Sequence, residues 1–208
     1  MKLHRRDVPP LYALTRPTSP CEDVAQLVAA GVRWIQIRDK TSHDDRLYID
    51  LVRARTMIPE GTRLFVNDRV DLALACAADG VHLGETDLDP RSARLVAGER
   101  QLLIGYSTHD VSEAIDAARR DEIDYVAIGP IFRSPTKNVR EALGTAVLSR
   151  IRAGTDKPII AIGGIDASNI ESVLDAGADS AAVISALYAS DDIVGNASAL
   201  MLAAGLSR

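Results

Sequence analysis

Two cysteines in 208 residues, Cys21 and Cys76, are too few and too far apart for a disulfide framework or a CxxC metal site. A reduced, cytoplasmic setting is therefore expected. Cys21 could sit near a helix start, where a thiolate is favoured, although packing is the ordinary role of a free cysteine. An excess of basic charge is also missing. Lys and Arg number 24 against 29 Asp and Glu, a formal charge of −5, which excludes the dense cationic face that nucleic acid requires. No apolar run reaches the ~18 residues of a membrane span. The stretch MKLHRRDVPP is basic but has no apolar segment of a secretory signal. Any anionic ligand must then be held by a local cluster of cations. What is present is 47% apolar residues, enough for a sizeable core, with the charged fraction of an ordinary soluble protein.

The apolar residues come in short β-branched runs: LYALT (11–15), RWIQI (33–37), RLFVN (63–67), GVHL (80–83), LLIGY (102–106), DYVAI (124–128), PIIAI (158–162) and SAAVI (180–184). Between them lie stretches such as EDVAQLVAAG, VSEAIDAARRD and ASNIESVLDAGAD, with apolar residues at three- and four-residue intervals and several ending in Gly. A strand about every 25 residues, each followed by a helix, predicts one (β/α)8 TIM barrel, a single α/β domain over 1–208. An open doubly wound sheet would usually carry a glycine-rich turn after its first strand, and TRPTSP has no glycine.

In RWIQIRDK, a period of two puts Trp34, Gln36, Arg38 and Lys40 on one face. A parallel sheet is covered on both faces, so these cations must meet something anionic or carry a heavy desolvation cost. Barrels place their chemistry at the C-terminal ends of the strands and on the loops that follow. Those positions hold Gln36, Arg38 and Lys40; Asn67 and Asp68; Asp87; Ser107 and His109; Ser134, Thr136 and Lys137; Gly163 and Gly164; and Ser185. The set is polar, with cations matched by carboxylates, as a phosphate-handling mouth would be.

Each cluster also has a plain structural reading. Gly163 and Gly164 suit close backbone approach to a phosphate, with Asp166 as N-cap of the next helix and Ser185 on the neighbouring loop; they equally suit a tight turn. Asp68 could cap a helix, with Asp71 in its first turn. Asp89, followed by Pro90, is the natural cap of its helix, which leaves Asp87 without that task. Two carboxylates on adjacent loops, with phosphate oxygens and water, make a typical Mg2+ site. Ser134, Thr136 and Lys137 could close over an anion or line a solvated loop. His109 could be a surface residue, and His82, inside a strand, reads as a satisfied interior histidine.

Together, QIRDK (36–40), VNDRVDLALACAADGVHLGETD (66–87), GYSTHD (105–110), GPIFRSPTK (129–137), IAIGGI (160–165) and GADSAAVISAL (177–187) resemble the thiamine phosphate synthase family. The resemblance implies a transferase that joins hydroxymethylpyrimidine diphosphate to a thiazole phosphate, carboxylated or plain, releasing pyrophosphate. It implies that Gln36, Ile37, Arg38, Asp39, Lys40, Asn67, Ser107 and Lys137 hold the diphosphate substrate. Asp68 and Asp87 would bind Mg2+. Ser134, Pro135, Thr136, Gly164, Ile184 and Ser185 would line the thiazole phosphate side. Glu85, Ser134 and Ser180 depart from the family's usual Gln, Thr and Gly, and Glu85 would add a negative charge beside the metal.

The chemistry implied is dissociative. Pyrophosphate leaves with the help of Mg2+, Arg38, Lys40, Lys137 and Ser107, and the unprotonated thiazole nitrogen then attacks, so little general base is needed. The expected partners are small phosphates and diphosphates, with no nucleic acid, no membrane and a homo-oligomer possible. Two alternatives stand beside this. A thiazole tautomerase would use a histidine such as His109, and a non-catalytic regulator would keep only the phosphate cradle.

Overall fold

Short runs of Val, Ile, Leu and aromatics, several of them bounded by Asp or Gly, form strands because both of their faces find cover. The computed structural model describes residues 3–133 and 141–206. Its strands are β1 Leu11–Leu14, β2 Trp34–Ile37, β3 Arg63–Asn67, β4 Gly80–Leu83, β5 Leu103–Thr108, β6 Tyr125–Ile128, β7 Ile159–Ile162 and β8 Ser180–Val183. They alternate with α1 Pro20–Ala29, α2 Asp44–Met57, α3 Val70–Ala75, α4 Pro90–Ala97, α5 Val111–Arg119, α6 Ala146–Arg152, α7 Ile170–Asp175 and α8 Ile193–Ala203. Every strand pairs in parallel with the next, and β8 closes on β1. This is the (β/α)8 barrel. No helix among the described residues is long and apolar enough to cross a membrane.

The strands are mostly a residue shorter than the apolar runs. Pro158 has no N–H to give, and Asp124 engages Ile104 twice, donating its amide to the Ile104 carbonyl and accepting from the Ile104 amide on its side chain, both at 2.7 Å. β5 is longer than its run, because Ser107 and Thr108 still pair with Ala127 and Ile128.

Alternation sorts the side chains. Ile35, Ile37, Leu64, Val66, Val81, Leu83, Ile104, Val126 and Ile128 face outward into the layer under the helices. Tyr12, Trp34, Phe65, Leu103, Tyr125, Ile160 and Ala182 fill the barrel. Four aromatic rings occupy the lumen, with centroids of neighbouring rings 4.7 Å (Trp34–Phe65) to 6.2 Å (Tyr12–Tyr125) apart. Rings of that size fit only where the facing position is empty. Gly80 stands opposite Phe65, where a Cβ would lie 2.5 Å from the ring. Gly105 stands opposite Tyr125, where a Cβ would lie 2.0 Å from the ring carbon that bears the hydroxyl.

Ser180 also points into this lumen, level with Ile160, and its buried hydroxyl has no partner among the described residues. An unsatisfied buried hydroxyl costs about 1–3 kcal/mol. Ser180→Ala is therefore expected to stabilise the fold by about 1 kcal/mol in urea titration; a loss of stability would mean that the hydroxyl is satisfied.

The N-terminal end of the barrel carries a repeated clamp. Asp79, Asp124 and Asp179 precede β4, β6 and β8 and accept from the amides of Leu64, Ile104 and Ile159 at 2.8, 2.7 and 2.8 Å. Each also meets an arginine of the preceding even-numbered helix: Arg55 on α2, Arg94 on α4 and Arg152 on α6. Before β2 the equivalent position is Arg33, and the clamp is missing there. A cleft of about 540 Å³ opens on this end, but two of its cations, Arg94 and Lys157, are engaged. Arg94 also donates to the carbonyls of Glu122 and Leu102, and Lys157 donates to those of Arg120 and Ile123. This face holds the barrel together and leaves the chemistry to the other end.

Candidate active site

At the C-terminal end, β2 delivers Gln36 inward and fully buried, while Ile37 points out into the helix layer. Any contact of Ile37 with a ligand in the barrel mouth must come through its backbone. The chain leaves β2 with the Arg38 amide 3.4 Å from the Thr15 hydroxyl, and Thr15 in turn donates its amide to the Gln36 carbonyl. The half-buried Arg38 guanidinium has no hydrogen-bond or ion-pair partner among the described residues. Asp39 turns the other way. Its carboxylate accepts from the Thr41 amide, the Thr41 hydroxyl and the Ser42 amide at 2.8, 2.9 and 3.0 Å. Burial alone would raise its pKa, but these donors together pull it below the usual carboxylate range. Asp39 thus shapes the loop that presents Arg38 and Lys40.

Lys40 reaches across to β3, with Nζ 2.8 Å from Asp68 Oδ2. Asp68 is not a helix cap: Arg69 occupies that place in α3, and Asp71 pairs with Arg69. Instead the chain pivots at Asp68, in the left-handed region at φ 64°. Its amide still bonds to the His82 carbonyl, and the Arg69 amide folds back onto the Asn67 carbonyl. An Asp tolerates this backbone conformation better than most residues do. Next to it, Asn67 is buried with its side-chain nitrogen unpartnered among the described residues. A donor left like this at the end of a barrel strand fits an acceptor that arrives with a ligand.

From β4, Asp87 enters the same space through a tight turn. It accepts from the Gly84 amide at 2.7 Å, while its own amide donates to the Gly84 carbonyl. Asp89 caps α4 as expected, accepting from the Arg91 amide at 2.9 Å. Burial and the adjoining Asp68 carboxyl push the Asp87 carboxyl above its ordinary range. Two carboxyls pressed together in this way favour a divalent cation. Among the described residues no group of three or more His, Cys, Asp or Glu forms a fuller shell. The donor set is therefore two carboxylates, open to water and ligand oxygens, which fits Mg2+. Glu85 is exposed, and its charge is felt at the Tyr106 hydroxyl.

His82, Ser107 and Gln36 belong to one buried hydrogen-bonded chain with Tyr12 and Tyr125. Burial lowers the His82 pKa to about 4; Asp87 opposes that shift, and Lys40 and Arg38 add to it. All three charged residues therefore lie within electrostatic reach of one ring. His82 is neutral at physiological pH, the satisfied interior histidine expected. Its native pKa lies below the unfolded one, so its contribution to stability is complete above about pH 6.5 and fades as pH falls toward 4.

On the β7–β8 side, Gly163 and Gly164 have φ of 101° and 64°. A Cβ on Gly163 would sit 2.7 Å from Pro130, and one on Gly164 2.7 Å from the Arg133 carbonyl. These glycines therefore make a tight turn that a side chain could not. Asp166 is not the N-cap of α7. It closes a turn on Ser168, and Asn169 holds the cap position, so Gly164 lies well before the helix start. The glycines crowd against the β6 loop here, and a turn must be completed before α7 can begin. Ile184 packs on the barrel filling, and Ser185, exposed, opens a short 3-10 turn. Ser134, Pro135, Thr136 and Lys137 lie outside the described residues.

His109 sits at the α5 start, its Nδ1 3.4 Å from Glu113 and its amide donating to the same carboxylate at 2.7 Å. Cys21 lies in the first turn of α1, but burial and Asp50 raise its pKa, so the helix start does not produce a thiolate. Sequence reasoning missed two groups. One is the Tyr12–Tyr125 link. The other is Arg16, whose guanidinium meets the buried Asp23 at 2.6 Å and lies 4.4 Å over the Tyr188 ring. Tyr188 donates to the Leu14 carbonyl, so this cluster staples the β8 loop to β1. The only sequence signal for it was the glycine-free loop TRPTSP.

A family model described as thiamine monophosphate synthase matches residues 11–187. A thiamine-phosphate synthase of Koribacter versatilis is 42% identical over 163 residues, covering 78% of this chain and 76% of its own. One of Gloeobacter violaceus is 43% identical over 185 residues, or 88% of this chain; the match spans about half of that relative, 53%. Among solved structures, a thiamine phosphate pyrophosphorylase from Pyrococcus furiosus is 31% identical, with a TM-score of 0.87 over 97% of both chains.

Proposed function

The chain belongs to the thiamine monophosphate synthase family, and from that premise we propose that it is a transferase of thiamine biosynthesis. It joins hydroxymethylpyrimidine diphosphate to a thiazole phosphate, making thiamine phosphate and pyrophosphate. One observation carries the reading. A carboxylate pair, Asp68 and Asp87, meets Lys40 at one end of the barrel, with Arg38 and the Asn67 side-chain amide, both without a partner among the described residues.

The diphosphate lies against Arg38 and Lys40, with Asn67 and Ser107 donating to its oxygens and Gln36 facing the pyrimidine end. Asp68 and Asp87 would hold Mg2+, which draws charge off the leaving group when bound. Lys137 closes the cationic set, and Ser134, Pro135, Thr136, Gly164, Ile184 and Ser185 border the thiazole phosphate. Preorganised donors aimed at developing charge commonly contribute more to catalysis than any other effect, each worth about 3–4 kcal/mol. The C–O bond breaks as negative charge gathers on the diphosphate, and the thiazole nitrogen attacks the resulting pyrimidine cation. No base is needed, which suits a mouth whose nearest histidine is neutral. We place the reaction in the cytoplasm, with both cysteines as free thiols.

The test is pyrophosphate release with each substrate alone and with both, with and without Mg2+. Release is expected only with both substrates and the metal. Turnover of the thiazole phosphate alone would indicate an isomerase, and no turnover at all a binding protein.

A further inference from the structure

The chain of hydrogen bonds inside the barrel has a direction. Gln36 Nε2 donates to the Tyr12 hydroxyl at 2.8 Å. The Tyr12 and Tyr125 hydroxyls are 3.2 Å apart, Tyr125 is 3.1 Å from His82 Nδ1, and His82 Nε2 is 2.8 Å from Ser107 Oγ. Both tyrosines are completely buried among apolar rings. Each phenol carries one proton, and in such surroundings that proton must find an acceptor. Tyr12 already accepts from Gln36, and the Tyr125 oxygen is the acceptor in reach of its proton. Tyr125 must then donate to His82 Nδ1. That nitrogen is consequently the bare one, the ring proton sits on Nε2, and Nε2 donates to Ser107. Ser107 has accepted, so its own proton is directed away from the chain, toward the mouth, where no described residue takes it.

We propose that this buried chain fixes His82 as the Nε2–H tautomer and so holds the Ser107 hydroxyl as an obligate donor to the anionic substrate, with Tyr125 as the positioning residue. With Gln36 Nε2 turned to Tyr12, the opposite direction would strand the Tyr12 proton among Trp34 and Phe65, where nothing accepts it. Links of this kind strengthen one another in a low-dielectric interior. The neutral state of the His82 ring agrees with its role as both acceptor and donor. The use made of the Ser107 proton rests on the proposed synthase reaction; the direction of the chain does not.

Nitrogen-15 NMR of the imidazole at neutral pH reads the tautomer in the unliganded protein. The expected result is a protonated Nε2 and a bare Nδ1. Tyr125→Phe removes the donor to Nδ1, so the proton should migrate there, Ser107 should turn back onto Nε2, and kcat should fall about tenfold, the worth of one hydrogen bond. Tyr12→Phe leaves Tyr125 its donor role and should preserve the tautomer, which separates the chain's direction from general loss of packing. Ser107→Ala should cost more than Tyr125→Phe, and the double variant no more than Ser107→Ala alone. A wild-type ring protonated on Nδ1, or on both nitrogens, would overturn the proposal. So would multiplying effects in the double variant, or an unchanged kcat in Tyr125→Phe. A wild type lacking synthase turnover would remove the proposed function instead, and the tautomer alone would then decide the direction.

Discussion

Asp87→Asn is expected to lower turnover at least about 10²–10³-fold and, in the absence of metal, to raise the melting temperature. The two effects share one cause. Burial and Asp68 hold the Asp87 carboxyl above its ordinary pKa, so the native state binds that proton more tightly than the unfolded chain does. Between the unfolded and native pKa values the native state carries more protons, and stability falls as pH rises through that window. At neutral pH the ionised carboxylate is a native-state liability, which Asn removes while its oxygen can still accept from the Gly84 amide. The same substitution removes half of the carboxylate pair. Mg2+ should therefore raise the melting temperature of the wild type, by binding the native state, and leave the variant unmoved. A variant less stable than wild type, or one still shifted by Mg2+, would mean that Asp87 is not held against Asp68 as a metal ligand. The sacrifice of stability for a charged mouth is what a functional site predicts.

Gly105→Ala is expected to be the most damaging single methyl in the barrel. A Cβ at this position would lie 2.0 Å from Cζ of Tyr125, and that ring cannot retreat freely: its hydroxyl bonds to Tyr12 and His82, and it packs on Trp34 and Phe65. Overpacking commonly costs about 1–3 kcal/mol and more where neighbours cannot yield. At about 3 kcal/mol the melting temperature should drop by roughly 6–12 °C for a chain of this size. Turnover should fall further than stability alone explains, because displacing Tyr125 breaks the link to Ser107. A melting temperature within about 2 °C of wild type would show that the lumen is loosely packed and that Tyr125 has room to move.

The periodicity of the chain was enough for the barrel, because a parallel strand covered on both faces leaves a short unbroken apolar run and each crossover helix leaves a three-to-four-residue rhythm. The same rule located Arg38, Lys40, Asn67, Asp68 and Asp87, since strand ends can be counted off. It reached less far where a residue's task depends on partners distant in sequence. Tyr12 and Tyr125 are 113 positions apart, and nothing local distinguishes their hydroxyls from those of surface tyrosines. The clamp aspartates look like ordinary turn residues until the amide of the neighbouring strand is seen to need an acceptor. Asp166 misled because Asp is a good cap, while the real cap, Asn169, follows a turn that the sequence does not announce. Asp39 differs again: it lies between Arg38 and Lys40, yet its carboxylate is taken up by the amides of its own loop, which the sequence does not announce.

Calorimetric titration of inorganic pyrophosphate into the unliganded protein, with and without Mg2+, tests the central claim most directly. Wild type should bind far more tightly with the metal, and Lys40→Ala and Asp87→Asn should each weaken that binding at least about tenfold. Equal affinity with and without Mg2+, undiminished in both variants, would place the diphosphate somewhere other than between these cations and carboxylates.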